Sequence, residues 1–234
     1  MVTDSISKRL KKMGNKERAA ISQRFFKTGP GEYGEGDIFI GIKVPVLRKL
    51  AKEYMNLSLK DVQIILRSNY HEERLLSLLI LVDQFSKGDQ KKKKSIYELY
   101  LKSTRFINNW DLVDLSAHLI AGPYLMDKSR APLYELARSD LLWERRIAVM
   151  STFHYIKHDE FSDTLKIAGM LLSDKEDLIH KAVGWMLREI GKRRLQSEEI
   201  FLKKHYQKMP RTMLRYAIEK FPEPKRKSYL IGQI

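Results

Sequence analysis

Apolar residues recur at helical spacing along almost the whole chain, so the sequence predicts a protein built from α-helices. Residues that favour helix ends mark several of them: Pro45 and Pro132 near starts, Ser58 as an N-cap, and Gly88 just after a helix. No strand pair joined by an Asn-Gly hairpin turn is predicted, and the expected fold class is all-α. The predicted helical segments are VPVLRKLAKEYMN, SLKDVQIILRS, EERLLSLLILVDQFSKG, QKKKKSIYELYLKSTRF and APLYELARSD.

The apolar helices also recur along the chain, with starts spaced by roughly 30 to 38 residues, which is about one helix pair each. This spacing is typical of a HEAT-like α-solenoid of antiparallel helix pairs, and the alternative is a non-repetitive helical bundle. We expect one domain over residues 1–234, with a positively charged concave face built from the second helix of each pair. The recurring segments are ERLLSLLILVDQF, WDLVDLSAHLI, ERRIAVMSTFHYI, HKAVGWMLREIG and RTMLRYAIEKF.

A glycine-rich loop at residues 28–37, within the stretch KTGPGEYGEGD, interrupts the helical pattern. Gly29, Gly31 and Gly34 match the G-x-G-x-x-G spacing of dinucleotide-binding proteins. A dinucleotide site is nevertheless rejected, because the preceding AAISQRFFK is predicted to be a helix and no strand–loop–helix unit surrounds the loop. Two interpretations stay open: a flexible loop, or a loop that reaches toward a ligand with Tyr33.

Charge and cysteine content narrow the class of protein. The chain has 44 Lys and Arg against 29 Asp and Glu, a net charge of +15, which favours a polyanionic partner such as nucleic acid. An anionic membrane surface or an acidic protein remains an alternative. The absence of cysteine excludes disulfides and thiolate metal sites. No apolar run long enough for a membrane span and no signal-peptide core is found, so a cytoplasmic protein is expected.

The stretch NNWDLVD carries the chemistry of greatest interest, because Trp110 and Asp114 share one face of a helix. A carboxylate beside aromatic rings stabilises positive charge, and an arginine such as Arg146 can clamp a phosphate. Such a set suits cleavage of an N-glycosidic bond, where the sugar becomes cationic; an alkylated purine is already cationic and leaves without a general acid. Trp185, Lys181 and Arg188 lie in a later repeat.

Each of these residues also has an ordinary structural interpretation. A tryptophan at helical spacing is often a core residue, and Trp143 is assigned to packing. Asp111 fits the first turn of a helix, and Arg146 fits a salt bridge. His154 and His158 lie four residues apart, but no third metal ligand is evident. No phosphate-binding loop and no nucleophile elbow occur.

The stretches NNWDLVD, WERRIAVM, HKAVGWMLREIGK and MPRTMLRYAIEKF resemble the AlkD family of DNA alkylation-repair glycosylases. The resemblance covers most of the chain and implies a HEAT-like fold, no metal or organic cofactor, and excision of N3- and N7-alkylated purines without pulling the base into a pocket. It implies that Asp114 is the catalytic carboxylate, that Trp110 and Trp185 line the sugar site, and that Arg146 contacts the DNA backbone.

One departure from the family pattern concerns a tyrosine in an early helix. Phe25, or alternatively Phe26, stands at its place, so a hydroxyl is missing, and Tyr33 is a candidate replacement. We therefore expect a monomeric, monofunctional DNA glycosylase acting on alkylated duplex DNA, cytoplasmic and nucleoid-associated when bound to DNA. The alternatives are a non-catalytic HEAT-repeat DNA-binding protein and a protein-interaction scaffold. The missing hydroxyl is expected to bear on the range of substrates more than on the type of reaction.

Overall fold

The computed structural model describes residues 2–234. Within these residues the regular secondary structure consists of α-helices and 3₁₀ turns. The one β contact among them is an isolated parallel bridge between Ile38 and Tyr70. The all-α prediction is therefore confirmed. The helices are α1 (Val2–Met13), α2 (Lys16–Phe25), α3 (Val44–Glu53), α4 (Leu59–Leu66), α5 (His71–Lys87), α6 (Gln90–Lys102), α7 (Trp110–Asp114), α8 (Ala117–Tyr124), α9 (Ala131–Leu136), α10 (Leu142–Ser151), α11 (Phe153–Ile156), α12 (Ser162–Met170), α13 (Asp177–Arg193), α14 (Leu195–His205), α15 (Arg211–Ala217) and α16 (Glu223–Ile231), with 3₁₀ turns at Thr104–Phe106 and Ile218–Lys220.

Most of the sequence signals for helix ends mark real ends. The Ser58 hydroxyl accepts a hydrogen bond from the backbone N–H of Asp61 at 3.1 Å, so Ser58 is the N-cap of α4. Pro45 and Pro132 lie in the first turns of α3 and α9. Gly88 follows α5 as predicted, but its φ of −77° is not left-handed. Glycine is favoured there by space, because a Cβ would lie 2.9 Å from the carbonyl oxygen of Gln84.

The recurring apolar segments coincide with helices that pack against helices earlier in the chain. The segments lie in α5, in α7 and α8, in α10 and α11, in α13, and in α15. Helices α3 and α4 pack against α5, α9 packs against α10, and α12 packs against α13. The predicted alternation of helices is thus confirmed, and the positive charge of a concave face stays a prediction.

Contacts divide the chain into two compact units, so the expected single domain over residues 1–234 also stays a prediction. The first unit runs to Ile120 and is built around α5, which is buried along most of its length. The apolar side of α5 supplies Leu76, Ile80 and Leu81, all at 0% exposure. Burial of such side chains is the main stabilising contribution to the unit. The N-terminal turn of α5 is also buried, although it consists of polar residues.

The second unit begins at Ala121 and is built around α13. Helices α10, α12, α14 and α15 all contact α13. Gly184 allows α15 to approach closely, since a Cβ there would overlap the carbonyl oxygen of Met213 and lie 2.5 Å from the Cβ of Tyr216. In residues 2–234 no helix is both long and apolar enough to cross a bilayer.

Candidate active site

Two of the candidate residues lie in the five-residue helix α7 of the first unit, Trp110 at one end and Asp114 at the other. Asn109 is its N-cap, and the Asn109 side-chain oxygen accepts a hydrogen bond from the backbone N–H of Trp110 at 2.8 Å. Asp114 is half-buried. Burial, and to a smaller extent the charge of Asp114, raises the pKa of the buried Tyr100, whose hydroxyl lies 2.9 Å from that of Ser116. Asp114 therefore lies close enough to the core of the first unit to affect its electrostatics.

Behind Trp110 the aromatic rings form a continuous stack. The Trp110 ring is stacked on Phe26 at 5.2 Å between centroids, Phe26 on Phe39 at 5.0 Å, and Phe39 on His71 at 4.4 Å. Phe25 meets Trp110 edge-on at 6.0 Å and is 64% exposed. Such pairs stabilise by about 0.5–1.5 kcal/mol each beyond the area they bury, so the stack fixes the plane of the indole ring.

Beneath the stack lies a buried ionic cluster, which we define as Asp37, His71, Arg74 and Asp111. His71 bridges the two carboxylates, with Nδ1 3.0 Å from Asp37 Oδ2 and Nε2 2.8 Å from Asp111 Oδ2. Arg74 donates a hydrogen bond to the other oxygen of Asp37. Asn109, the N-cap of α7, also donates to Asp37 at 3.2 Å. The cluster thus fastens the start of α7 from two sides.

The ionic cluster is balanced in charge when His71 is protonated. Burial acts to lower the pKa of His71, but the charge of Asp111 and the hydrogen bonds that His71 donates to Asp111 and Asp37 outweigh it and raise the pKa to about 9. Burial acts to raise the pKa of Asp37, yet the hydrogen bond from His71 and the charge of Arg74 hold it below its ordinary value. Two cations then face two carboxylates, the arrangement in which buried charges are tolerated.

The glycine-rich loop folds back onto the end of α2. The backbone N–H of Gly34 donates to the carbonyl of Lys27 at 3.0 Å, and a Cβ at Gly34 would lie 2.5 Å from the carbonyl oxygen of Phe26. The Tyr33 hydroxyl lies 3.5 Å from the carbonyl oxygen of Phe25. The loop therefore delivers Asp37 to the ionic cluster, and the contact of Tyr33 with a ligand stays a prediction.

In the second unit, Trp185 lies in the middle of α13. Its indole N–H donates to Glu189, one helical turn later, at 3.0 Å. The ring is tilted against Phe153 with 5.9 Å between centroids and is half-buried. Glu189 also accepts a hydrogen bond from Lys192 at 2.6 Å. Trp185 is thus held mainly by its own helix, and its contact with a sugar stays a prediction.

The basic candidates of the second unit all contact other groups of the protein. Arg146 is only 4% exposed, and its guanidinium donates to the carbonyl of Leu178. Lys181 pairs with Asp177 at 2.7 Å, and Arg188 pairs with Glu219. Arg146 is thus buried and bonded to the backbone of α13, and its salt bridge stays a prediction, as does a DNA contact by Arg146, Lys181 or Arg188.

Other residues noted in the sequence have structural surroundings. Trp143 is half-buried in α10. The rings of His154 and His158 are 4.5 Å apart, and burial, then the charge of His158, lower the pKa of His154 to about 4. Within residues 2–234 no group of three His, Asp or Glu side chains could hold a metal ion.

Three residues of the ionic cluster, Asp37, His71 and Arg74, were not predicted as candidate residues. Asp37 stood in the sequence as the last residue of the glycine-rich loop, Arg74 lay within the predicted helical segment that begins at Glu72, and His71 lay just before that segment. Asp111 was assigned to the first turn of a helix; it does lie there, and its Oδ1 accepts from the Leu112 N–H at 2.9 Å. Its contact with His71 comes in addition. The one feature of the sequence that could have indicated the ionic cluster is the pair of asparagines before Trp110.

The chain matches the model of a known family. A family model described as DNA alkylation repair enzyme matches residues 6–221, nearly the whole chain. The chain belongs to this DNA alkylation repair enzyme family. Membership assigns the protein to DNA alkylation repair and makes DNA its expected partner. A search of curated proteins finds no match to the chain.

Two solved structures are similar in fold. One is titled a predicted DNA alkylation repair enzyme from Enterococcus faecalis, with a TM-score of 0.68 and 17% identity over 90% of this chain and 97% of that one. The other is AlkD2 from Streptococcus mutans, with a TM-score of 0.55 and 16% identity over 89% of this chain and 99% of that one. At these identities the likeness shows the fold of the DNA alkylation repair enzyme family, and the activity is a separate question.

Proposed function

We propose that the protein is a monofunctional DNA glycosylase that hydrolyses the N-glycosidic bond of cationic N3- and N7-alkylated purines in duplex DNA, the first step of base excision repair. The observation that carries the proposal is the combination of family membership with Trp110 and Asp114 at the two ends of α7. No metal or organic cofactor has a role in it. An indole and a carboxylate one turn apart form a pair suited to a cation.

The chemistry requires the carboxylate to act on the sugar. The bond between C1′ and the alkylated nitrogen breaks, both electrons go to the base, and the base leaves neutral because it was cationic before cleavage. The sugar becomes an oxocarbenium ion, which the negative charge of Asp114 stabilises; water adds to C1′ and gives up a proton. The product is an abasic site in an intact strand.

The remaining candidates are given supporting roles. Trp110 offers its indole face to the sugar, and the stack of Phe26 and Phe39 behind it keeps that face in place. Trp185 is assigned to the sugar as well, and Arg146 to the DNA backbone. Phe25, next to Trp110, stands where the family pattern has a tyrosine, which bears on substrate range rather than on the reaction.

The test is release of 7-methylguanine and 3-methyladenine from alkylated duplex DNA by the protein and by Asp114→Asn. Removal of one preorganised electrostatic group from an active site costs about 10²–10³-fold in rate, so Asp114→Asn is expected to fall by at least that factor. Single-turnover conditions separate the chemical step from DNA binding. Equal rates for both proteins would remove Asp114 from the mechanism.

A matched control is Asp83→Asn, which removes a half-buried carboxylate from the same unit. Its base release is expected to match that of the unmodified protein. If neither the protein nor the control releases base from any alkylated duplex while binding DNA, the non-catalytic DNA-binding alternative takes the place of the glycosylase.

A further inference from the structure

A second group of basic side chains surrounds a small cleft in the first unit. The cleft has a volume of about 170 Å³ and lies where the end of α4, the 3₁₀ turn Thr104–Phe106 and the end of the glycine-rich loop meet. Arg67 and Arg105 lie on it from two of these elements, and Asn108 lines it two residues before Trp110. Neither Arg67 nor Arg105 takes part in the proposed reaction.

One aromatic ring holds both arginines. The guanidinium carbon of Arg67 lies 5.8 Å from the centroid of Phe106, and that of Arg105 lies 5.4 Å from it. Cation–π contacts of this length are worth about 0.5–1 kcal/mol at exposed sites, so Phe106 restricts two side chains that would otherwise move freely. The two cations are thus preorganised, which lowers the entropic cost of binding an anion between them.

Both arginines keep their charge available. Arg67 and Arg105 are exposed, and neither makes an ion pair within residues 2–234, whereas Arg9, Arg130 and Arg145 each do. A guanidinium without a carboxylate partner presents its planar fork of N–H donors, which matches the oxygens of a phosphate.

A buried donor lies in the same cleft. Arg74 is 4% exposed; it donates to Asp37 and to the Ser68 carbonyl, but its Nε has no hydrogen-bond partner. A buried donor without a partner is destabilising, and an oxygen acceptor within reach of Nε would satisfy it.

Two carboxylates also line the cleft, and both already have partners. Asp37 is neutralised by His71 and Arg74 in the ionic cluster. Glu35 accepts a hydrogen bond from the backbone N–H of Gly31 at 2.9 Å and remains the one negative charge next to the opening that lacks a cation. The balance of charge at the mouth, with Arg67 and Arg105, is positive.

We propose that the cleft formed by Arg67, Phe106 and Arg105 binds a phosphate group of the DNA backbone. The proposal rests on DNA being the partner, as family membership and the proposed function have it. Because Asn108 belongs both to the cleft and to the segment that leads into α7, a strand held here passes next to Trp110. The ordinary alternative is that Arg67, at the C-cap of α4, only stabilises the helix dipole.

The experiment measures binding of an undamaged, fluorescently labelled duplex over a series of salt concentrations. Each phosphate that is neutralised contributes about 0.9 to the slope of log K against log salt concentration. The double variant Arg67→Ala/Arg105→Ala is expected to bind more weakly at low salt and to lower the slope by about 1. Phe106→Ala retains both charges, and releasing them from the ring is expected to weaken binding about two- to fivefold.

The matched control is Arg48→Ala/Lys49→Ala, which removes two exposed cations of α3 from the same unit. It is expected to bind DNA with nearly the original slope. An equal loss in both double variants, together with no effect of Phe106→Ala, would overturn the proposal in favour of general surface charge. Circular dichroism of each variant establishes that the helices remain folded.

Titration with inorganic phosphate separates the two sources of a phosphate group. Weak phosphate binding that is lost in Arg67→Ala/Arg105→Ala along with DNA affinity supports the proposal. Phosphate binding that is lost while DNA affinity and slope are unchanged would make this a free-anion site and overturn it. Since the duplex is undamaged, the result does not depend on base release, and failure here leaves the glycosylase proposal to its own test.

Discussion

The two candidate tryptophans are held in place by different means. Trp110 begins a five-residue helix and depends on contacts with distant parts of the first unit: a ring stack through Phe26 and an ionic cluster that reaches back to Asp37. Trp185 lies in the middle of the 17-residue α13, and its indole N–H bonds to Glu189 on the same helix. Isolated helices as short as α7 are not stable in water, whereas a long amphipathic helix needs only packing along one face.

The two kinds of support predict that the two tryptophans respond to different substitutions. Trp110 is expected to move when a buried polar residue far from it in sequence is changed. Trp185 is expected to respond to the packing of α13 and hardly at all to single surface charges. Variants that remove one support from each unit measure the two sensitivities directly.

The largest expected effect comes from Asp37→Asn. The change leaves His71 and Arg74 buried beside a single remaining carboxylate, Asp111, and breaking a buried ion pair costs about 3–5 kcal/mol. Its counterpart in the second unit, Glu189→Gln, removes a partly exposed partner of Trp185 and is expected to cost about 1 kcal/mol or less. Urea unfolding followed by tryptophan fluorescence measures both free energies. Similar losses would mean that the two tryptophans are supported alike.

A second large effect is the pH dependence of the two units, which should be opposite in sign. The folded-state pKa of His71, about 9, is above the ordinary 6.5, so its contribution is full below pH 6.5 and is lost as the pH rises through 9. The shift corresponds to about 3 kcal/mol at most. The folded-state pKa of His154, about 4, is below 6.5, so its contribution is present above pH 6.5 and is lost as the pH falls through 4.

Unfolding free energies of the protein, His71→Gln and His154→Gln between pH 4 and pH 10 check these signs. The charged groups that act on His71 are Asp37, Asp111 and Arg74; those that act on His154 are His158, Lys157, Arg130 and Glu160. The difference in the free energy of unfolding between the protein and His71→Gln should shrink above pH 8. A gap that stays constant to pH 10 would contradict a protonated His71.

An intermediate effect is expected from the close approach of α13 to α15. Gly184→Ala adds a methyl group that overlaps the Met213 carbonyl, which should cost about 1–3 kcal/mol and shift Trp185, its neighbour in sequence. Gly169→Ala in α12 is the control, because nothing lies within 4 Å of its added Cβ. There the higher helix propensity of alanine should stabilise by up to about 1 kcal/mol. The two melting temperatures should therefore change in opposite directions, and a rise for both would mean that α15 yields easily.

The smallest effect on stability is expected from Phe25→Tyr. Phe25 is 64% exposed at the edge of Trp110, so the added hydroxyl should change the free energy of unfolding by no more than about 0.5 kcal/mol. The informative measurement is the ratio of 3-methyladenine to 7-methylguanine release, which should change if this position sets substrate range. An unchanged ratio would argue that Phe25 has no part in choosing the lesion.

The parts of the fold that depend on neighbouring residues could be predicted from the sequence. Ser58 as an N-cap, the helices with their proline starts and the recurrence of apolar helices all follow from local chemistry and periodicity. Trp110 and Asp114 on one turn of α7 are also local. The helix ends and the recurrence held because they depend on neighbouring residues, whereas α7 follows the local pattern but needs its distant contacts to be stable.

The supports of the candidate site could not be predicted in the same way. Asp37, His71 and Asp111 are separated by 34 and 40 residues, and nothing in the local pattern pairs a loop aspartate with a helix-start histidine. The glycine-rich loop had two open interpretations, because its turns close partly on themselves and partly on the end of α2, and the second kind of contact is not visible in the sequence. Gly88 was placed correctly for a different physical reason, since its need is for space and not for a left-handed backbone.

The hydrogen bond from Asn109 to Asp37 joins residues that are 72 positions apart. During synthesis, Asp37, His71 and Arg74 leave the ribosome before Asn109 and Asp111, so the early chain lacks the second carboxylate of the ionic cluster. The ionic cluster can form completely only after the last part of the first unit has been synthesised. The start of α7, and with it the indole at position 110, can therefore take up its final contacts only after the chain has been made as far as Asp111.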